Sequence, residues 1–460
     1  MSERLCSVGL DVGTTTTQLI VSELTVQNRA SGFAVPRMEI TDRRILYKSP
    51  VHFTPLLDVA HVDGAAIRDL VTEEYAKAGI TREEVDTGAI IITGETSRKE
   101  NASTVLEALS SFAGEFVVAT AGPDLESVLA AKGAGAVDYS EKTGKTVLHM
   151  DIGGGTSNLA LIRDGSIQAT GCLNVGGRLL KLDPAGQVTY VSPVLRGLAD
   201  IKVGDKPTQE QVDGVANLLA QALEMAAGLR ERTDLLDRLT TDEAQGRIAV
   251  PPGDLVISFS GGVADCIEQT HPPLAFGDMG PALGKAIRES RLCKQAYILG
   301  TETIRATVIG AGCHSAQLSG STVFYQNVAL PVKNLPVAAF TLQEQESPRF
   351  PEQIRRRLEE FDTETVVLAM PGYSAPGYGQ LTALADRIAA AAEGRPVYLC
   401  LEGDMAKALG HSLLLRLPPG MPLLCIDRVR LEDHSFLDVG TPVGPALPVV
   451  IKTLVLSQNK

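Results

Sequence analysis

Tryptophan is absent from this 460-residue sequence, and aromatic residues together make up only 4%. A chain so poor in flat side chains offers no stacking platform for single-stranded nucleic acid. A basic surplus is missing too. The formal net charge is −13, whereas phosphate backbones are held by an excess of Lys and Arg. The seven cysteines (Cys6, Cys172, Cys266, Cys293, Cys313, Cys400 and Cys425) never fall in CxxC spacing. An odd, scattered set points to a reducing cytosol and away from zinc, iron–sulfur clusters and the radical-enzyme activators that carry them. No apolar run reaches the ~18 residues of a membrane span, and no charged-then-apolar leader precedes the first strand. The expectation is a cytoplasmic protein that binds neither membrane nor nucleic acid. Its 44% hydrophobic and 21% charged residues are ordinary for a globular chain, and its length corresponds to about three domains.

The most informative stretch present is Val147–Leu161, VLHMDIGGGTSNLAL. An apolar run ends at Asp151, Gly153, Gly154 and Gly155 follow, then Thr156, Ser157 and Asn158, and a second apolar run begins. The pattern predicts strand, tight turn, strand. Three glycines exceed what a hairpin needs. They let the backbone approach a ligand closely and aim bare N–H groups at phosphate oxygens. A carboxylate beside phosphate requires a cation between them, so Asp151 implies magnesium. Cys6–Glu23, CSVGLDVGTTTTQLIVSE, repeats this grammar, with Asp11, Gly13 and the hydroxyl donors Thr14 to Thr17. Taken singly it could be a plain Thr-rich hairpin. Two copies about one small domain apart indicate an internally duplicated fold, each half contributing one phosphate-binding hairpin.

Between the copies, Asp63 is expected to cap a helix that Gly79 ends, and Gly88–Thr93 is expected as a strand. Glu95 stands just past that strand, a usual place for a catalytic group. Glu100 competes for the role, and helices are expected over Ser103–Phe112 and Pro123–Ala136. From Pro184 to Val250 the chain turns polar and helical, with Thr208 and Gln211 forming a capping box. LVISFSGGVAD, Leu255–Asp265, is a third strand stopping at Gly261 and Gly262, where a flat ring or a phosphate could approach the backbone. ATVIGAGCHS, Ala306–Ser315, lacks the third glycine and the later acidic residue of a dinucleotide fingerprint. Gly310 and Gly312 are better explained as opening a helix pressed on its neighbour. Leu330–Glu360 is expected as linker plus helix, and the remainder as a separate α/β domain. In that domain Glu402, Asp404, His411 and His434 fit no metal or triad spacing, and the tail DVGTPVGP is only a faint echo of the first turn.

Taken in order, DVGTTTT, IITGETSRKENA, MDIGGGTSN, ISFSGGVAD and VIGAGCHSA resemble the five motifs of the actin-like ATPase superfamily, over roughly Ser2 to Leu330. The whole chain is similar to the reactivating factors of ethanolamine ammonia-lyase. The closer carriers are ITGETSRKENAS, AGPDLESVLAAKGAGA, FGDMGPALGKAI and the tail DVGTPVGPALPVVIKTLV. The resemblance implies a duplicated ribonuclease-H-like α/β core that clamps ATP and Mg2+, with halves at 1–140 and 141–329. A polar helical insertion is expected near 184–250, a linker and helix at 330–362, and a C-terminal α/β domain at 363–460. It further implies that Asp11 and Asp151 hold the metal. Gly13, Thr14, Thr15, Thr16, Gly153, Gly154, Gly155 and Thr156 would hold phosphates, and Gly261 and Gly262 would border the adenosine. Glu95, with Glu100 as competitor, would handle the attacking water. Ethanolamine ammonia-lyase is the implied partner, its damaged cobalamin being released so that intact adenosylcobalamin can rebind. The family's pathway adds a bacterial microcompartment as a second location, and self-association is left open. A small-molecule kinase and a polymerising cytoskeletal ATPase are the alternatives within the superfamily.

Overall fold

A computed structural model describes residues 2–13, 16–28, 38–58, 61–93, 117–120, 123–241, 248, 250, 254–272, 274–300, 302–314, 316–320, 322–361, 363–431, 435–442 and 446–453. The expected helix Ser103–Phe112 lies outside them.

The first sheet is built from β1 (Ser2–Val12), β2 (Thr16–Asn28), β3 (Met38–Lys48), β4 (Thr87–Ile92) and β5 (Val117–Thr120), in the order β3-β2-β1-β4-β5. The short strand His52–Phe53 also pairs with β2. The second contains β6 (Thr146–Ile152), β7 (Ser157–Arg163), β8 (Ser166–Leu173), β9 (Leu255–Ser260) and β10 (Tyr297–Leu299), in the order β10-β9-β6-β7-β8. In each sheet a three-stranded antiparallel meander is extended by two parallel strands from the far side of its first strand. One topology occurring twice is a duplicated ribonuclease-H-like α/β fold. The central strands β4, β6 and β9 are buried on both faces and correspondingly apolar.

Local signals placed several elements correctly. Asp63 accepts from the N–H groups of Ala65 and Ala66 at the start of α1 (Gly64–Ala78), and Gly79 ends it with φ 71°. Thr208 and Gln211 cap α3 (Gln209–Ala226) reciprocally. Two expectations need correction. The helix expected over Pro123–Ala136 stops as α2 at Gly133, and a second one, Ala136–Thr143, begins after Gly135 at φ 78°. The expected linker contains a strand, Val332–Ala339, in the interior of a third sheet of eight strands. Pro336 within it masked the pattern, although a proline can occupy a strand where its missing N–H is not required. Ala316–Leu318 and Phe324–Gln326 are edge strands of this same sheet, so it starts before residue 330. Among the described residues no helix is long and apolar enough to cross a membrane.

The two halves are joined through backbone contacts that only glycine permits. Helix α4 (Ala306–His314) follows the second sheet in sequence but packs on β1, while α2 follows the first sheet and packs on β8. The two helices cross. A Cβ on Gly133 would stand 1.9 Å from the Ala306 carbonyl oxygen, and one on Gly310 would stand 2.1 Å from that of Leu129. On the other side of α4, a Cβ on Gly9 would meet the backbone of Val308 and Gly312 at 2.5 and 2.7 Å. Gly310 and Gly312 therefore lie inside the helix and press on two neighbours, rather than opening it. Alanine at 310 would favour an isolated helix by about 1 kcal/mol. Here Gly310→Ala is expected to destabilise by about 1–3 kcal/mol or more through overpacking. Urea unfolding measures it, and unchanged or higher stability would contradict the crossing.

Candidate functional site

The two glycine turns are the same structure built twice. Asp11 pairs with Gln18 across β1 and β2, and Asp151 pairs with Asn158 across β6 and β7. Gly13 N–H donates to the Thr16 carbonyl at 2.9 Å, and Gly153 N–H donates to the Thr156 carbonyl at 2.9 Å. Nothing lies within 4 Å of where a Cβ on Gly155 or on Gly262 would stand, so the backbone at both is open to a ligand. Gly261, at φ 87°, sits so close to Ile152 that a Cβ would meet its carbonyl oxygen at 2.3 Å. The predicted adenosine border and the second turn are thus adjacent. Thr14, Thr15, Glu95 and Glu100 lie outside the described residues.

The carboxylates come close enough to perturb each other. Burial raises Asp11 to about 7, with the Asp151 charge adding to the rise and a hydrogen bond from Thr93 opposing it. Burial raises Asp151 to about 6 against hydrogen bonds from Ser260 and Thr307. Asp11 keeps partial solvent contact, and water there screens part of the effect, whereas Asp151 is 7% exposed. Thr93 Oγ1 donates to Asp11 Oδ1 at 2.9 Å, Ser260 Oγ donates to Asp151 Oδ1, and Thr307 Oγ1 donates to Asp151 Oδ2 at 3.4 Å. Behind Ser260 lies His149, whose Nε2 is 3.0 Å from Ser260 Oγ and whose Nδ1 is 3.0 Å from Ser258 Oγ. Burial lowers this imidazole to about 3, so it is neutral. Ser260 spends its one proton on Asp151, so His149 carries its proton on Nε2 and accepts from Ser258 on Nδ1. A directed chain of donors thus ends on the carboxylate.

These supporting residues were missed in the sequence. The signal was period two: His149 and Asp151 on β6 pair in register with Ser258 and Ser260 on β9. Arg178 was missed as well. Its backbone N–H donates to the Gly154 carbonyl at 2.6 Å, its side chain lies along Gly154, and its Nε pairs with Asp278 at 3.2 Å. Elsewhere, Asp404 ion-pairs with Arg428 and accepts from Thr322, and His411 lies against Phe324. His434 lies outside the described residues. Among the described residues no group of three or more His, Cys, Asp or Glu could hold a metal.

The family model of the ethanolamine utilisation protein EutA matches residues 3–457. The chain belongs to that family. It is similar to the ethanolamine ammonia-lyase reactivase EutA of Salmonella typhimurium, at 40% identity over 98% of this chain and 99% of that protein. The Escherichia coli reactivase of the same name is 39% identical over the same shares of both chains. Among solved structures, the Ppx/GppA enzyme of Aquifex aeolicus aligns with a TM-score of 0.42 and 12% identity, covering 67% of this chain and 99% of that one.

The raised carboxyl groups make a pH prediction. Both bind protons more tightly folded than unfolded, so their contribution is fully present below about pH 4 and is lost as pH rises through about 6 to 7. Without metal or nucleotide, Asp11→Asn and Asp151→Asn should each remove part of that decline. Urea midpoints across pH 4 to 8 test this, and a decline as steep in both variants as in the parent contradicts it.

Proposed function

We propose that this chain is an ATP-dependent reactivating factor for ethanolamine ammonia-lyase. It would promote release of damaged cobalamin so that intact adenosylcobalamin rebinds. The observation that carries the ATPase part of the reading is the pair of matching turns, each with a carboxylate at its strand end and a glycine N–H that closes the turn on the carbonyl three residues later. Full-length similarity to proteins named as reactivases supports the choice of client. The kinase alternative draws no support from those relatives.

The residues fit a hydrated magnesium, because two partly buried carboxylates that oppose each other's ionisation need a positive charge between them. Asp11 and Asp151 would hold it, and when bound it would neutralise phosphate charge. The chain's own contribution is positional. The open backbone at Gly155 would face phosphate oxygens, and Thr93, Ser260 and Thr307 keep the carboxylates oriented. Glu95, or Glu100, would orient the attacking water. Polar contacts between the halves include Lys48 with Glu302, Arg305 with the Ser49 carbonyl at 3.0 Å, and Gln18 with the Ile304 carbonyl at 3.2 Å. Closure on ATP and relaxation on ADP would shift this seam between two states that a partner can distinguish. Work on the lyase is then differential affinity for one of its conformations.

The test uses purified chain and lyase poisoned with an inactive cobalamin. Activity should return only with ATP, magnesium and fresh adenosylcobalamin. Asp151→Ala should still bind the lyase while losing magnesium-dependent ATP turnover roughly a hundredfold or more, the scale of removing one electrostatic group from such a site. Reactivation should vanish with it. No recovery by the parent protein would overturn the client. Release of ADP that depends on an added metabolite would favour the kinase.

A further inference from the structure

Opposite each carboxylate sits a buried amide. Gln18 faces Asp11 across one antiparallel ladder and Asn158 faces Asp151 across the other, each seven residues after its partner. Directly opposed residues of such a pair project from the same face of the sheet, with Cβ atoms about 4.5–5.5 Å apart. Gln18 is 4% exposed and Asn158 2%. Gln18 donates through Nε2 to the Ile304 carbonyl, which fixes the orientation of its amide. The two carbonyl oxygens, Gln18 Oε1 and Asn158 Oδ1, are buried and have no hydrogen-bond partner among the described residues. A buried acceptor without a donor is destabilising and uncommon. Here the defect recurs at the same register in both halves.

The chemistry of the surroundings says what is missing. With a cation between them Asp11 and Asp151 are ionised and acceptors only, and the amide oxygens are acceptors only. The hydroxyls of Thr93, Ser260 and Thr307 already donate to the carboxylates. Unpartnered acceptors on the same sheet face as two carboxylates call for a species that is positive and rich in donors. A magnesium ion with its retained waters is both. Amides suit the outer positions better than further carboxylates, because they accept from metal-bound water without adding charge to a site where two carboxylates already repel.

We propose that Gln18 and Asn158 hold the water shell of the nucleotide-bound magnesium, one from each half. The inference rests on the reading of Asp11 and Asp151 as the magnesium carboxylates. It gives the clamp a neutral second pair of contacts. It also ties the water shell to the seam between the halves, because Gln18 bonds Ile304 three residues before Thr307, which donates to Asp151.

The experiment measures ATP affinity of the full chain by calorimetry, once in EDTA and once in saturating magnesium chloride, for the parent, Gln18→Met, Asn158→Leu, Asn158→Asp and Asp151→Asn. Affinity in EDTA should be unchanged in the two apolar variants, while the gain from magnesium shrinks about ten- to hundredfold, as for other groups behind a metal's ligands. Asn158→Asp keeps an acceptor and should retain most of the gain. Thermal unfolding gives a second readout. Asn158→Leu removes an unpartnered buried acceptor, so without ligand it should melt no lower than the parent, yet MgADP should raise its midpoint less. Full magnesium dependence in both apolar variants, with dependence lost in Asp151→Asn, would overturn the inference and leave the carboxylate reading standing. Full dependence in Asp151→Asn as well would overturn both.

Discussion

Two carboxylates that resist each other's ionisation are the constraint around which the core is arranged. Neither is comfortable alone, because burial raises both and the charge on Asp151 raises Asp11 further. The fold answers with donors from several elements. Thr93 comes from the end of the neighbouring parallel strand, Ser260 from the matching strand of the other half, and Thr307 from the crossing helix. The neutral His149 extends the chain of donors inward, where an apolar core would otherwise leave Ser260 free to turn away. Among the described residues the hydrogen bonds to the two carboxylates come from neutral hydroxyls.

Duplication explains why the arrangement is symmetric, and the crossed helices join the two halves that carry it. On the proposed reading each hairpin is a modest phosphate contact by itself, and the two together would act as a clamp. The contact at Gly133 and Gly310 brings backbone against backbone. Such packing leaves no flexible side chain to absorb a shift of one helix against the other.

Much of this was legible in the sequence, where chemistry and local geometry coincide. The carboxylate, glycine and hydroxyl order of the two turns, the caps at Asp63 and Thr208, and the turn at Gly261 all depend on residues adjacent in the chain. The rest depends on partners far apart. His149 on a buried strand reads as an oddity until Ser258 and Ser260 stand beside it, about 110 residues later. Gln18 and Asn158 look like ordinary polar strand residues until their burial and missing donors are seen. The error at Val332–Ala339 had a different cause, since proline and flanking charge imitate a linker while the strand's pairing is long-range. Gly310 and Gly312 suggested a helix start because the packing that demands them is tertiary.

A crystal structure of the chain with magnesium and a non-hydrolysable ATP analogue tests the central claim most directly. The account predicts the phosphates between the Gly13–Thr16 and Gly153–Thr156 turns, and the metal, still carrying waters, beside both Asp11 and Asp151. A nucleotide bound elsewhere, or a metal that approaches neither carboxylate, would contradict it.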